Sequence, residues 1–122
     1  MDRRRVVGAD AEQRAARVLE AAGLRVVERN VRFRGGEIDL VCRDGDVWVF
    51  VEVKARRPGW DAGAAAAVSW HKQRRLVMLS QLYLKSHGLR DVRIRYDVVE
   101  ITLDAREPTL RHLRGAFDAP SG

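Results

Sequence analysis

The sequence predicts a mixed α/β domain of order αβββαβ, a central mixed sheet flanked by helices. Three observations carry that expectation. Two stretches repeat apolar residues at helical spacing, an Asp44-Gly45-Asp46 turn separates two strand-like runs, and a β-rich run follows the second helical stretch. At 122 residues the chain suits one domain with one core, so residues 1–122 are read as a single unit with flexible ends at 1–7 and 116–122.

The first helix is expected from about Asp10 to Ala22, closed by Gly23. Within it Ala11, Ala15, Val18, Leu19 and Ala22 fall on one face. Leu24 to Glu28 reads as a short strand. Ile38 to Arg43 and Val47 to Ala55 read as the two arms of a hairpin. Arg57 to Ala67, with Pro58, Gly59 and Gly63, reads as a loop. Ser69 is placed to cap a second helix that runs to about Ser86 and ends at Gly88. Val92 to Leu103 is a strand or a strand pair.

Charge and cysteine usage narrow the setting. A net charge of +6 and a pI near 10.4 favour an anionic partner such as nucleic acid as much as a merely solvated Arg-rich surface. Only Lys54, Lys72 and Lys85 among the 23 basic residues are lysines, so each is worth asking about. Cys42 is the sole cysteine, which rules out an intrachain disulfide and suits a reducing compartment. No apolar run is long enough for an ordinary transmembrane helix, and the basic N-terminus lacks the apolar region of a signal peptide. A cytoplasmic protein with no membrane partner is expected.

Strand alternation gathers the chemistry. With Asp44-Gly45 as a two-residue turn, Arg43 faces Asp46, Asp39 faces Phe50 and Glu37 faces Glu52. Asp39, Glu52 and Lys54 then share one face, with Asp39 diagonal to Glu52 at roughly 5 to 8 Å between Cβ atoms. Ile38, Leu40 and Cys42 join Val47, Val49, Val51 and Val53 on the other face, and the run Val47 to Val51 suits a central strand covered on both sides.

Carboxylates placed there raise each other's pKa unless a cation neutralises them, and a hard ion such as Mg²⁺ takes carboxylate oxygens directly. Lys54 adds a donor for a water or a phosphate oxygen. A solvated strand end with a Glu52–Lys54 ion pair is the competing reading, and Asp39 on the matching face tips the balance towards the metal. Helix phase puts Glu12 on the buried side of the first helix, where a carboxylate is rare unless paired or coordinating; an edge Glu reaching an Arg is the alternative.

Lys72 aligns with Leu76, Leu79 and Tyr83 on the apolar stripe of the second helix, so it is a candidate to reach the acidic cluster or a phosphate, or else snorkels to solvent. Arg74, Arg75, Arg34, Arg56 and Arg57 complete the candidate nucleic-acid contacts. His71, His87 and His112 have no ligand spacing and read as surface residues. Trp60 and Trp70 flank the loop, with core packing favoured over base stacking for Trp70.

Gly35-Gly36-Glu37-Ile38-Asp39-Leu40 followed by Val49-Phe50-Val51-Glu52-Val53-Lys54 resembles the YraN-like family of uncharacterised bacterial proteins. Gly8, Glu12 and Ala15, Arg29-Asn30, Lys72-Gln73-Arg74-Arg75, Arg95-Tyr96-Asp97-Val98-Val99 and Ala116-Phe117 extend the likeness over most of the chain. Ala11 stands where Gly is expected, and Tyr96 where Phe is.

The resemblance implies a restriction-endonuclease-like fold, similar to that of archaeal Holliday junction resolvases. It implies a Mg²⁺- or Mn²⁺-dependent endonuclease acting on DNA, including branched or junction DNA in repair or recombination. Asp39 and Glu52 would be metal ligands with the Val53 carbonyl, Glu12 would bind metal or water, and Lys54 would stabilise the attacking water or the transition state. Since one hairpin site cuts one strand, a two-strand cut would need a homodimer. The alternatives are a nucleic-acid-binding module that keeps the fold without cutting, and a structural or partner-binding domain.

Overall fold

The structure is a computed structural model that describes residues 3–56, 70–103 and 106–119. Helix α1 spans Arg3–Ala21 and helix α2 spans Trp70–Ser86. The strands are β1 (Arg25–Phe33), β2 (Gly36–Asp44), β3 (Val47–Arg56), β4 (Arg93–Thr102) and β5 (Thr109–Phe117). They form one sheet in the order β1-β2-β3-β4-β5, with β3 and β4 parallel and the other pairs antiparallel. The αβββαβ order is therefore present, with a fifth strand added on the far edge. Residues 3–7 lie within α1, and Ala116 and Phe117 within β5. Among the described residues no helix is long and apolar enough to cross a membrane.

Both helices stop where glycine lets the backbone turn. Gly23 sits at φ 95, and the Leu24 N–H reaches back to the Leu19 carbonyl at 3.0 Å. Gly88 at φ 64 does the same for α2, with the Leu89 N–H on the Leu84 carbonyl at 2.9 Å. In each case a left-handed residue lets the chain bond carbonyls that the helix leaves open. Ala22 lies past the end of α1 and is exposed, unlike its apolar-face partners Ala11, Ala15 and Leu19. Ser69 lies outside the described residues.

The sheet is covered on both sides. Ala11, Ala15, Ala16 and Leu19 of α1 pack on Leu40, Cys42, Val49, Val51, Val99 and Ile101. Leu76, Leu79 and Tyr83 of α2 pack on Val41, Phe50 and Tyr96. Strand β3 is thus central and buried on both faces, as its apolar run required. Removing Phe50, fully buried and edge-on to Tyr83 at 5.7 Å, should cost about 3 to 5 kcal/mol.

The hairpin register differs from expectation by two residues. Asp44 pairs with Val47, so the turn is Gly45-Asp46 rather than Asp44-Gly45, and Gly45 takes φ 60. A two-residue shift preserves side-chain parity, so the acidic face survives. It also moves Asp39 from diagonal to opposite Glu52, one step beyond the Leu40–Val51 pair that ends the ladder.

Ile38 departs from the expected pattern, packing with Val41 and Phe50 on the α2 side instead of with Leu40 and Cys42. Alternation breaks here for two reasons. The Val53 N–H donates to Asp39 Oδ2 at 2.8 Å, so side chain replaces backbone in the β2–β3 contact. On the other flank, between the Arg29–Leu40 and Val31–Ile38 pairs, Asn30 sits at φ 52, which disrupts the pleat of β1.

Candidate functional site

The break in alternation opens the sheet at the β2–β3 end, and the charged residues collect there. Glu12 comes from α1, Glu37 and Asp39 from β2, and their carboxylate oxygens lie within 4.8 Å of one another. Glu52 of β3 faces the same space. A cleft of about 170 Å³ is lined by Glu37, Asp39, Glu52, Lys72, Arg75, Leu76 and Leu79, so α2 forms its opposite wall. The glycine pair that opens β2 makes this approach possible. A Cβ on Gly36, at φ 148, would stand 3.1 Å from Arg75 Cδ and 3.3 Å from Leu79 Cδ1, and one on Gly35 would stand 2.9 Å from Met78 Cε. Side chains at these positions would push α2, and with it Arg75, away from the carboxylates.

Electrostatics define what the cleft lacks. Burial, then the charge of Glu52 and those of Glu12 and Glu37, push the Asp39 carboxyl up to about 7 against the single opposing bond from the Val53 N–H. Burial also raises Glu52, opposed by the charges of Lys72, Arg75 and Lys54. Glu12 is raised by burial, while a hydrogen bond from the Asn30 side chain works against the shift. Among the described residues, cations therefore compensate Glu52 in part, and none is among the causes that act on Asp39. Oxygen donors from several carboxylates, held close in a partly dry cleft, match what a hard divalent ion such as Mg²⁺ or Mn²⁺ requires.

Each candidate from the sequence can now be placed. Glu12, Asp39 and Glu52 converge, and Val53 meets them through its N–H. Lys54 stands two residues beyond Glu52 on the same face of β3, half-buried. Lys72 and Arg75 line the cleft. Arg74 does not: its guanidinium lies 4.6 Å over the Trp70 ring. Arg34 is exposed in the β1–β2 turn, Arg56 ends β3, and Arg57 and Trp60 lie outside the described residues.

Two acidic residues were missed from the sequence. Glu37 was noticed only as a cross-strand neighbour of Glu52, yet it belongs to the tightest carboxylate group. Glu100 is 6% exposed and in parallel register with Lys54, so its side chain shares the face that carries Glu52 and Lys54. A lone acid in the apolar run Val98-Val99-Glu100-Ile101 was its only signal, and the β3–β4 register was needed to read it.

Two further expectations are corrected. Trp70 does not pack in the core; it is 61% exposed at the start of α2. His112 is not a surface residue, because its Nε2 lies 2.8 Å from Asp97 Oδ2 with a side chain only 11% exposed. Asp97 is wholly buried and also accepts from Arg95 Nε at 2.9 Å, Arg95 Nη2 at 3.1 Å and the Gly115 N–H at 2.9 Å. Arg95 reaches on to Asp44 at 2.8 Å. This network ties β5 to β4 and to the hairpin, on the α1 side of the sheet.

A mixed sheet with carboxylates and a lysine at the open end of a central hairpin, flanked by two helices, is consistent with a restriction-endonuclease-like core. Comparison with known proteins places the chain more closely. It belongs to the uncharacterised protein family UPF0102, whose family model matches residues 11–101. A UPF0102 protein of Xanthomonas oryzae pv. oryzae (strain PXO99A) is 47% identical over 113 residues, covering 92% of this chain and 91% of its own length. One from Dechloromonas aromatica (strain RCB) is 54% identical over 112 residues, covering 92% and 88%. One from Anaeromyxobacter dehalogenans (strain 2CP-C) is 43% identical over 117 residues, covering 96% and 87%.

Proposed function

We propose that this protein is a Mg²⁺- or Mn²⁺-dependent endonuclease that hydrolyses phosphodiester bonds in DNA, with branched or flapped DNA of repair or recombination as its substrate class. The observation that carries the reading is the Asp39 carboxylate, pushed up to about 7 by burial and by Glu52, Glu12 and Glu37, while Lys72 and Arg75 stand across the same cleft. A site for phosphate alone has no use for four carboxylates, which would repel it. A site for phosphate and cation together needs both.

The division of labour follows from placement. Asp39, Glu52, Glu12 and Glu37 present oxygens to the cation, and the Val53 N–H fixes which Asp39 oxygen stays turned inward. Lys72 and Arg75, on the opposite wall, hold phosphate oxygens and set the scissile bond against the carboxylates. Lys54, beside Glu52, orients the attacking water or stabilises charge that builds on the phosphoryl group. A divalent ion, when bound, would supply Lewis-acid polarisation of the phosphate and an acidified water. The protein would work in the cytoplasm, and cutting two strands would require two copies.

The test is cleavage of linear, flapped and four-way DNA in Mg²⁺ or Mn²⁺ by wild type and Glu52→Gln. Metal-dependent cleavage lost in the variant is the expected result. Equal residual cleavage by both proteins would mean a contaminant and end the catalytic claim. Binding that is steeply salt-dependent, with no cleavage by either protein, would reassign the fold to nucleic-acid binding without cutting.

A further inference from the structure

One residue of β1 has a backbone that no regular strand uses. Asn30 sits at φ 52, inside a strand. The other described non-glycine residue with positive φ, Asp91, lies in the connection that leads into β4, where a left-handed Asp is ordinary. Within a strand such a residue leaves the alternation of its neighbours, and it persists only where its surroundings hold it. Its place in the sheet and its partner show what holds it. With Arg29 opposite Leu40 and Val31 opposite Ile38, Asn30 stands opposite Asp39. Its side chain hydrogen-bonds the Glu12 carboxylate of α1.

Glu12 has need of such a partner. Glu37, Asp39 and Glu52 are fixed by the sheet, whereas Glu12 reaches the group from a helix on a long, rotatable side chain. Its carboxylate oxygen lies within 4.8 Å of those of Glu37 and Asp39, and like charges at that range push it outward. The charge of Arg29 adds a smaller attraction than the Asn30 bond. A guanidinium in direct contact would also hold Glu12, but its charge would compete with a bound cation. An amide N–H orients a carboxylate and leaves the negative charge for the ion. Asparagine meets both demands, since it tolerates the left-handed backbone and carries a short amide donor.

We propose that Asn30 is a positioning residue: its left-handed backbone aims an uncharged donor at Glu12 and holds that carboxylate beside Glu37 and Asp39 for a divalent cation. The inference rests on the reading of this carboxylate group as a cation site, and it names the part of β1 that presets it. Asn30 acts through Glu12, so its effect on the cation vanishes once Glu12 is gone.

The experiment is a double-mutant cycle on Mn²⁺ affinity, read by calorimetry on the full chain carrying Asn30→Gly, Glu12→Ala or both. Asn30→Gly keeps the left-handed backbone and deletes the donor, and should weaken Mn²⁺ binding about tenfold. In the Glu12→Ala background the same substitution should change nothing. A second reading leaves Asn30 intact: its side-chain amide resonances, in the ¹⁵N-labelled chain without metal, should shift on Glu12→Ala. Where Glu12→Ala binds Mn²⁺ too weakly to measure, these resonances decide. Equal affinity of Asn30→Gly and wild type, or the same loss with and without Glu12, would overturn the positioning role and leave the cation site standing. So would amide resonances that Glu12→Ala does not move. No Mn²⁺ binding by wild type would overturn the cation reading, and this inference with it.

Discussion

Asp39, half-buried, and Asp97, wholly buried, are aspartates of one sheet, and their surroundings drive their acidities in opposite directions. Asp97 is held below the ordinary carboxylate range although burial alone would raise it, because Arg95, the Gly115 N–H and His112 all donate to it. Among the described residues Asp39 has one donor and three acidic neighbours, and it is pushed up to about 7. The first carboxylate is finished by the protein. The second has no such set of donors among the described residues, and the proposed cation would neutralise it.

The sharpest way to break the contrast is to remove each group in turn. Asp97→Ala leaves Arg95 and His112 beside an empty buried site, and should cost about 3 to 5 kcal/mol in urea unfolding. Asp39→Asn removes a charge that the fold does not satisfy, and should leave stability unchanged or raised at pH 8. The pH dependence carries the same sign test. In the unfolded chain both groups titrate near 3.9. Between about 4 and 7 native Asp39 holds more protons than its unfolded form, so its contribution to stability is present at low pH and is lost as pH rises through this window. Native Asp97 holds fewer, so its contribution is present above about 3.9 and is lost as pH falls below it. Asp39→Asn should flatten only the upper arm of a midpoint-versus-pH curve.

Next in size is catalysis. Partners that merely orient a metal ligand typically account for 10- to 100-fold, so Glu52→Gln should lower cleavage by at least about a hundredfold with unfolding unchanged. Glu100→Gln should lower kcat about tenfold through Lys54, while a circular dichroism melt stays near that of wild type. An equal loss of stability and activity would make Glu100 a packing residue only. Smallest is the thermal effect of the ion: saturating Mn²⁺ should raise Tm by a few degrees at pH 8, by less at pH 5, and not at all in Asp39→Asn.

How far these regions were legible in the sequence follows the same division. Local rules reached the hairpin: side-chain parity put Asp39, Glu52 and Lys54 on one face, and helix phase turned Glu12 inward. They were robust because moving the turn by one residue shifts the pairing register by two, which leaves parity intact. What depends on distant pairing was missed. Strand β5 carries apolar residues at Leu110, Leu113 and Phe117, spaced more like a helix than a strand, and its Gly115 at φ 56 accompanies a register shift opposite Tyr96 and Val98. The burial of His112 and the placing of Glu100 follow from that strand and from the β3–β4 register. Trp70 was misjudged although helix phase, about 160° from Lys72, sets it off the stripe of Leu76, Leu79 and Tyr83.

The central claim, that Asp39 and its neighbours await a divalent cation, is tested most directly by Mn²⁺ titration calorimetry in buffers of different ionisation enthalpy. Binding should release protons, the number growing as pH falls below about 7 because the ion displaces the proton on Asp39. Asp39→Asn should abolish both the binding and the release. Absence of Mn²⁺ binding by the wild type, or the same heat and proton count in Asp39→Asn, would contradict it.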